Sequence, residues 1–217
     1  MKLVAVADIH GSLDRVERIL RKEPDADVIV LAGDVTTRGT PAQVESAVNA
    51  LRQDGRALVA VAGNMDPVHC EENLRALGVS INASAIAVGE AGFFGVSASP
   101  FTPFHTPYEL SEEEIARRAE DGWKALPQVR WKVFVPHSPP INTSIDRTFA
   151  GLHVGSTAVR SFVERRSPDI LICGHIHEAR GTDAIGNTLL VNCGPAGHGS
   201  YALITLAEKI AVELKQL

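Results

Sequence analysis

The chain opens with Lys2-Leu-Val-Ala-Val-Ala7, a short and nearly continuous apolar run, and breaks at once into Asp8-Ile9-His10-Gly11. A run of this length and composition reads as a strand in a sheet covered on both faces. An Asp and a His then stand where the strand leaves the core. Residues two apart in extended chain point to one side, so Asp8 and His10 can aim at a common point. The pattern repeats downstream. Asp27–Ala32 ends in Gly33-Asp34, and Ala57–Ala62 ends in Gly63-Asn64-Met65-Asp66.

Helical patterns separate these runs. Ser12 stands as N-cap to a helix with Leu13, Val16, Ile19 and Leu20 on its inner face, stopped by Pro24. Thr40-Pro41 opens a second helix, an N-cap followed by a first-turn proline, with Val44, Ala47, Val48 and Leu51 inward. Pro67 begins a short third helix to about Leu77. Three strand–loop–helix units in succession predict an α/β fold with a parallel sheet and crossover helices. Ligands of such sheets gather at the C-terminal ends of the strands.

Past Ser80 the rhythm changes. Ala85–Val88 and Gly92–Val96 read as short strands joined at Gly89-Glu90. The proline- and aromatic-rich Ala98–Leu110 reads as a loop, either a lid over a site or a dimer contact. Ser111-Glu-Glu-Glu114 begins an exposed helix to about Asp121. Trp131–Val135 then delivers Pro136-His137-Ser138, and a long loop leads to Gly155. Ser156 caps a helix through Arg165, and Ile170–Cys173 delivers Gly174-His175-Ile176-His177. Thr188–Val191, Tyr201–Thr205 and Ile210–Leu214 are the last strand-like runs. No repeat, low-complexity tract or linker divides residues 1–217, so a single domain is expected.

Composition narrows the function classes. Of 217 residues, 45% are hydrophobic and 22% charged, as in an ordinary globular protein. The net charge of −5 offers no basic footprint for duplex nucleic acid, which disfavours a nuclease. Cys70, Cys173 and Cys193 are three widely spaced cysteines with no CxxC, read as small apolar packing groups in a reducing compartment. No signal-peptide pattern and no apolar run near the ~20 residues of a membrane span is present, so a cytoplasmic protein with no membrane partner is expected.

Five strands thus end in D-x-H, G-D, G-N-x-D, H-S-P-P and G-H-x-H. Glycine beside the polar residue, at four of the five strand ends, lets the backbone turn sharply and stay clear of what is bound. Asp, Asn and His together are a mixed O/N donor set suited to Mn, Fe, Zn, Ni or Co.

The ordered series Asp8-x-His10, Gly33-Asp34, Gly63-Asn64, His137 and Gly174-His175-x-His177 resembles the calcineurin-like metallophosphoesterases, from Met1 to about Gly199. The resemblance implies a four-layer α/β/β/α sandwich with two divalent transition-metal ions at the strand ends, Mn first among the candidates. It implies that Asp8, His10 and His177 hold one metal, that Asn64, His137 and His175 hold the other, and that Asp34 bridges both. It also implies hydrolysis of a phosphate ester by in-line attack of a metal-bridging hydroxide.

One departure bears on substrate. Many family members read Gly-Asn-His where this chain reads Gly63-Asn64-Met65-Asp66, and that His serves the transition state or the leaving group. Met65 cannot donate a proton. Loss of a general acid costs typically 10²–10⁴-fold, least for aryl leaving groups. The change resembles a subgroup that includes weak phosphodiesterases and a metal-poor scaffold protein of membrane traffic. Candidate replacements are His105, His153 and His198, each weighed against a surface role. His198 is the best placed, because its loop follows G-H-x-H by one hairpin. Asp66 reads as a structural carboxylate or one that orients a ligand histidine, rather than a base, and Arg38 as a phosphate contact or a solvated loop residue.

The expected function is therefore a dinuclear-metal phosphodiesterase acting on a small phosphate ester. Asp34, Asn64, His137 and His198 are its catalytic candidates. The alternatives are a metal-binding scaffold or interaction module, a phosphomonoesterase, or a nuclease.

Overall fold

The computed structural model describes residues 1–52 and 55–217. The first half alternates strictly: β1 (Lys2–Val6), α1 (Leu13–Lys22), β2 (Val28–Ala32), α2 (Pro41–Arg52), β3 (Ala57–Val61) and α3 (Val68–Ala76). There follow β4 (Ala85–Val88), β5 (Ala91–Val96), the two-residue strands β6 (Ser99–Pro100) and β7 (Glu109–Leu110), α4 (Glu112–Ala125) and β8 (Trp131–Pro136). The chain continues through α5 (Thr157–Arg166), β9 (Ile170–Cys173), β10 (Gly181–Ile185), β11 (Thr188–Asn192), β12 (Ser200–Leu206) and β13 (Ile210–Gln216).

Local chemistry sets most of the helix starts. The Thr40 N–H donates to Gln43 Oε1 at 2.8 Å while Gln43 N–H reaches Thr40 Oγ1 at 3.4 Å, a reciprocal cap. Ser111 Oγ accepts from Glu114 N–H and Ser156 Oγ from Val159 N–H. Ser12 occupies its expected position but makes no side-chain cap bond. Helix α4 runs past its expected end at Asp121, and β10 was not expected at all.

Two sheets result. One has the order β13-β12-β1-β2-β3, with β1, β2 and β3 parallel; the other has the order β10-β11-β9-β8-β5-β4, parallel from β11 to β5. The alternation of side chains along each strand supplies a different layer to each face. Leu3, Ala5, Ala7, Val28 and Val30 meet Phe93, Val133, Val135, Ile170 and Ile172 of the facing sheet. Val4, Val6, Ile29 and Leu31 pack instead against Val16, Ile19, Val44 and Val48 of α1 and α2. On the far side Phe94 and Phe134 stack at 4.8 Å and pack with Ile115 of α4 and Phe162 of α5. The architecture is the expected α/β/β/α sandwich, and it brings the C-terminal ends of β1, β2, β3, β8 and β9 to one rim.

Candidate metal centre

The rim is stitched together by backbone. Asp8 N–H donates to Gly33 O at 3.0 Å, Ile9 and His10 N–H both donate to Asp34 O at 2.9 Å, and Gly174 N–H donates to His137 O at 3.1 Å. These bonds hold an unusual run of conformations: Asp8 (φ 53°), His10 (49°), Asp34 (52°) and His175 (68°) are all left-handed. Each such non-glycine residue costs of order 1 kcal/mol and persists only where the surroundings over-determine it. The turn aims each side chain back over the strand ends.

All seven expected ligand residues meet there. His177 Nε2 lies 3.4 Å from Asp8 Oδ1, and the donor atoms of Asp8, His10 and His177 all lie within 4.8 Å of one another. Asp34 Oδ2 stands 3.7 Å from His10 Nε2 and 3.6 Å from His137 Nε2. Asn64 Oδ1 is 3.0 Å from His137 Nε2 and 2.8 Å from His175 Nδ1. Asp8 also groups with Asp34 and His137, with one donor atom of each within 4.8 Å of the others.

The donors fit divalent ions. His137 Nδ1 faces only the Ala32 carbonyl, at 2.8 Å, so it donates its proton there and Nε2 is the nitrogen turned toward the cluster. That nitrogen faces the Asn64 and Asp34 oxygens, which call for positive charge between them, from a ring proton or from a divalent ion. Burial pushes the His137 pKa down, yet the Asp34 carboxylate outweighs it and raises the group to about 9. For His175, burial and then the neighbouring His137 lower it to about 4, keeping the ring neutral as a ligand must be. Burial pushes the Asp34 carboxyl up, but His137 and the Met65 N–H, at 2.7 Å from Oδ1, hold it below its ordinary value. Separations of 3.4–3.7 Å between these donors are long for hydrogen bonds. They match donors around a tetrahedral ion, which lie about 3.4 Å apart.

Glycines make the room. A Cβ on Gly63 would overlap the Asp34 carboxylate and backbone N, one on Gly33 the His137 ring, and one on Gly174 Asp8 and Ala7. Each glycine accommodates a ligand from a neighbouring strand as well as its own turn.

Asp66 takes a structural part. It is 1% exposed, touches no ligand histidine, and accepts from Val35 and Gly63 N–H through Oδ2 and from Thr36 N–H and Oγ1 through Oδ1. It ties the loop after β2 to the loop after β3 and so fixes Asp34 and Asn64 together. Met65 lies beside the cluster, lining a cavity of about 420 Å³ with His10, Asp34, Asn64, His175 and His177. Arg38 lines it too; its backbone N–H donates to Met65 O at 2.8 Å, and among the described residues no side-chain partner engages its guanidinium.

The candidate replacement histidines lie apart. His198 is exposed on a 3₁₀ turn, its carbonyl accepting from Gln216 Nε2, and it lines neither cavity beside the ligands. His153 Nδ1 is 2.7 Å from the buried Asp146, pinning its own loop. His105 is exposed, although its neighbours Phe104 and Thr106 line the cavity. Sequence reading missed Thr37, whose Oγ1 meets His10 Nδ1 at 2.9 Å and turns Nε2 toward the cluster. A hydroxyl three residues past Asp34 was the available signal.

Comparison with known proteins agrees with this geometry. A protein of Methanocaldococcus jannaschii described as uncharacterized is 34% identical over 205 residues, covering 93% of this chain and 91% of its own. TT1561 of Thermus thermophilus shares the fold with a TM-score of 0.76 at 18% identity over 98% of each chain. A novel archaeal phosphodiesterase does so with a TM-score of 0.55 at 13% identity, over 99% of this chain and 100% of its own. The family model described as calcineurin-like phosphoesterase, a family dependent on dinuclear metal centres, matches residues 1–179. With this match, the strand-end donors and the sandwich in agreement, the chain belongs to the calcineurin-like phosphoesterase family.

Proposed function

We propose that the chain is a dinuclear metal-dependent phosphodiesterase. Asp8, His10 and His177 would hold one divalent ion and Asn64, His137 and His175 the other, with Asp34 shared between them. Manganese is the first choice; Fe, Zn, Ni and Co suit the same donors. Bound there, the ions would supply an activated water and positive charge for the phosphoryl oxygens. The observation that carries the reading is the convergence of His137 Nε2 on the Asn64 and Asp34 oxygens, with its Nδ1 held by the Ala32 carbonyl.

The remaining work falls to the chain's own groups. The Met65 N–H anchors one Asp34 oxygen and leaves the other facing the histidines. Arg38 offers the cavity a guanidinium suited to one phosphoryl oxygen pair. A diester brings one negative charge to that single cation. Met65 gives no proton, so the leaving oxygen departs best as a stable anion. Three buried free cysteines suit a reducing compartment, and we place the protein in the cytoplasm. No helix among the described residues is long and apolar enough to cross a membrane.

The test is metal-stripped protein reconstituted with Mn²⁺ and assayed on bis-p-nitrophenyl phosphate and p-nitrophenyl phosphate, with Asp34→Ala and Asn64→Ala alongside. Metal-dependent turnover that favours the diester and disappears in both variants supports the proposal. Two ions bound without turnover would replace it with the scaffold reading, and absence of metal binding would remove the centre altogether.

A further inference from the structure

The large apolar side chains exposed on this molecule are not scattered. Phe101 (72% exposed), Phe104 (81%), Phe149 (93%), Leu152 (63%) and Val154 (40%) lie on the two loops that flank the metal centre; among the described residues only Val68 lies elsewhere. Between the loops runs a cavity of about 500 Å³, walled by Pro100, Phe101, Pro103, Phe104, Ile141 and Val154. Asn64, His175, Phe104 and Thr106 line both this groove and the cavity over the ligands, so the two spaces are continuous.

Most of the groove's polar side chains are engaged within the protein. The Thr102 and Thr106 hydroxyls donate to Glu109 at 2.6 and 2.7 Å, and Thr148 Oγ1 donates to Leu152 O at 3.3 Å. The Glu112 carboxylate accepts from Ser156 Oγ and from the N–H groups of Thr157 and Ala158 at the start of α5. No Lys or Arg lines the space. It therefore offers flat and branched apolar surface to whatever lies beside the phosphorus, with no counter-charge for a second phosphate. Its near wall is also preformed: β6 pairs with β7 at the neck of the loop, and Glu109 gathers Thr102 and Thr106 above it. A preformed apolar cleft beside a few convergent polar groups is the usual build of a small-molecule subsite.

We propose that this groove seats an uncharged apolar ester arm, aryl or alkyl, and that it selects phosphodiesters bearing one. The inference rests on the phosphodiesterase reading above, because a diester has an arm to place there whichever oxygen leaves.

The test uses three p-nitrophenyl diesters whose second arm is methyl, hexyl or phenyl, so that the leaving group is constant. Burial of the longer arms raises kcat/KM over the methyl ester by about 10-fold or more. The hexyl arm separates burial from electronic activation by phenyl; a response to phenyl alone would assign the effect to stacking on the Phe and Pro faces. The double variant Phe101→Ser/Val154→Ser brings the ratios below about 3-fold, whereas Val68→Ser keeps the wild-type ratios. Ratios near one in the wild type, with turnover present, overturn the groove and leave the phosphodiesterase standing. A second readout needs no turnover: calorimetric titration with diphenylphosphinate and dimethylphosphinate, whose P–C bonds do not hydrolyse. The diphenyl compound binds about 10-fold tighter if the groove is as inferred. That preference without turnover of any diester would refute the activity alone, and equal binding of the two would refute the groove.

Discussion

Replacing Asp66 with Asn changes one atom and isolates what holds the strand-end loops together. The carboxylate receives four hydrogen bonds, from Val35 N–H (3.0 Å), Gly63 N–H (3.0 Å), Thr36 N–H (2.8 Å) and Thr36 Oγ1 (2.7 Å). An amide placed with its NH₂ toward Thr36 lets the hydroxyl reverse and accept, and strands one buried N–H; the opposite orientation strands two. One stranded donor costs about 1–3 kcal/mol, and the bonds that survive lose their charge assistance. Removing a carboxylate that burial and Asp34 hold above its ordinary pKa offsets part of this. The expected destabilisation is about 2 kcal/mol for Asp66→Asn, and about 4 kcal/mol for Asp66→Ala, which strands all three N–H groups. Urea unfolding of the metal-free protein measures both. Metal titration should show affinity about 10–100-fold lower in the Asn variant, because Asp34 and Asn64 are no longer fixed together. An Asn variant within about 0.5 kcal/mol of wild type, or an Ala variant no worse than Asn, would refute the reasoning.

Other outcomes follow from the same site. Gly63→Ala sets a methyl group against the Asp34 backbone, which cannot swing aside, and should cost about 1–3 kcal/mol together with most of the metal affinity, read by calorimetry. Met65→His restores a proton donor and should raise turnover of diesters with alkyl leaving groups by about 10²-fold while scarcely changing bis-p-nitrophenyl phosphate; equal gains on both would count against the leaving-group argument. For Glu109, burial pushes the carboxyl up, but hydrogen bonds from Thr102 and Thr106 outweigh it and hold it at about 2, below the ordinary 4.5. Its stabilisation of the loop is full above pH 4.5 and is lost as pH falls toward 2. Cleavage of residues 98–110 in limited acid proteolysis should therefore rise across that window, and Glu109→Gln should show the raised rate throughout it.

The clustering of the candidate ligands was legible because strand ends concentrate them. Asp8, His10, Asp34, Asn64, His137, His175 and His177 each interrupt an apolar run at its last residues, where a parallel sheet gathers its termini. The parallel sheet followed from the same runs, since strands apolar at every position need cover on both faces, whereas the four-layer sandwich came from the family resemblance. What escaped notice lacks that contrast. β10 alternates partly buried and exposed residues at a sheet edge, in a Gly-Thr-Asp-Ala-Ile stretch with little apolar pattern. Asp66 was left between a structural role and the orienting of a histidine, because sequence proximity to Asn64 does not reveal which backbone a carboxylate meets across the rim. His198 looked promising by chain order, yet its 3₁₀ turn faces it to solvent. The groove depends on two loops brought opposite each other by α4 and α5, a relation no local pattern encodes.

The seam between the two sheets is almost wholly apolar, and apolar contact is non-directional: it sets the relative alignment of the sheets less sharply than polar contacts do. The polar rim sharpens that alignment, because Asp8, His10, Asp34 and Asn64 extend from one sheet while His137, His175 and His177 extend from the other. Asp8 and the His175 N–H that it receives are 167 residues apart in the chain. Ions seated among these groups would act as rivets, closing a loop of nearly the whole polypeptide as a disulfide does, but reversibly and by mass action. At a free metal concentration 100 times Kd a single site adds about 2.7 kcal/mol to the folded state. A chelator would then do more than empty a catalytic centre: it would unfasten the two halves of the sandwich from each other.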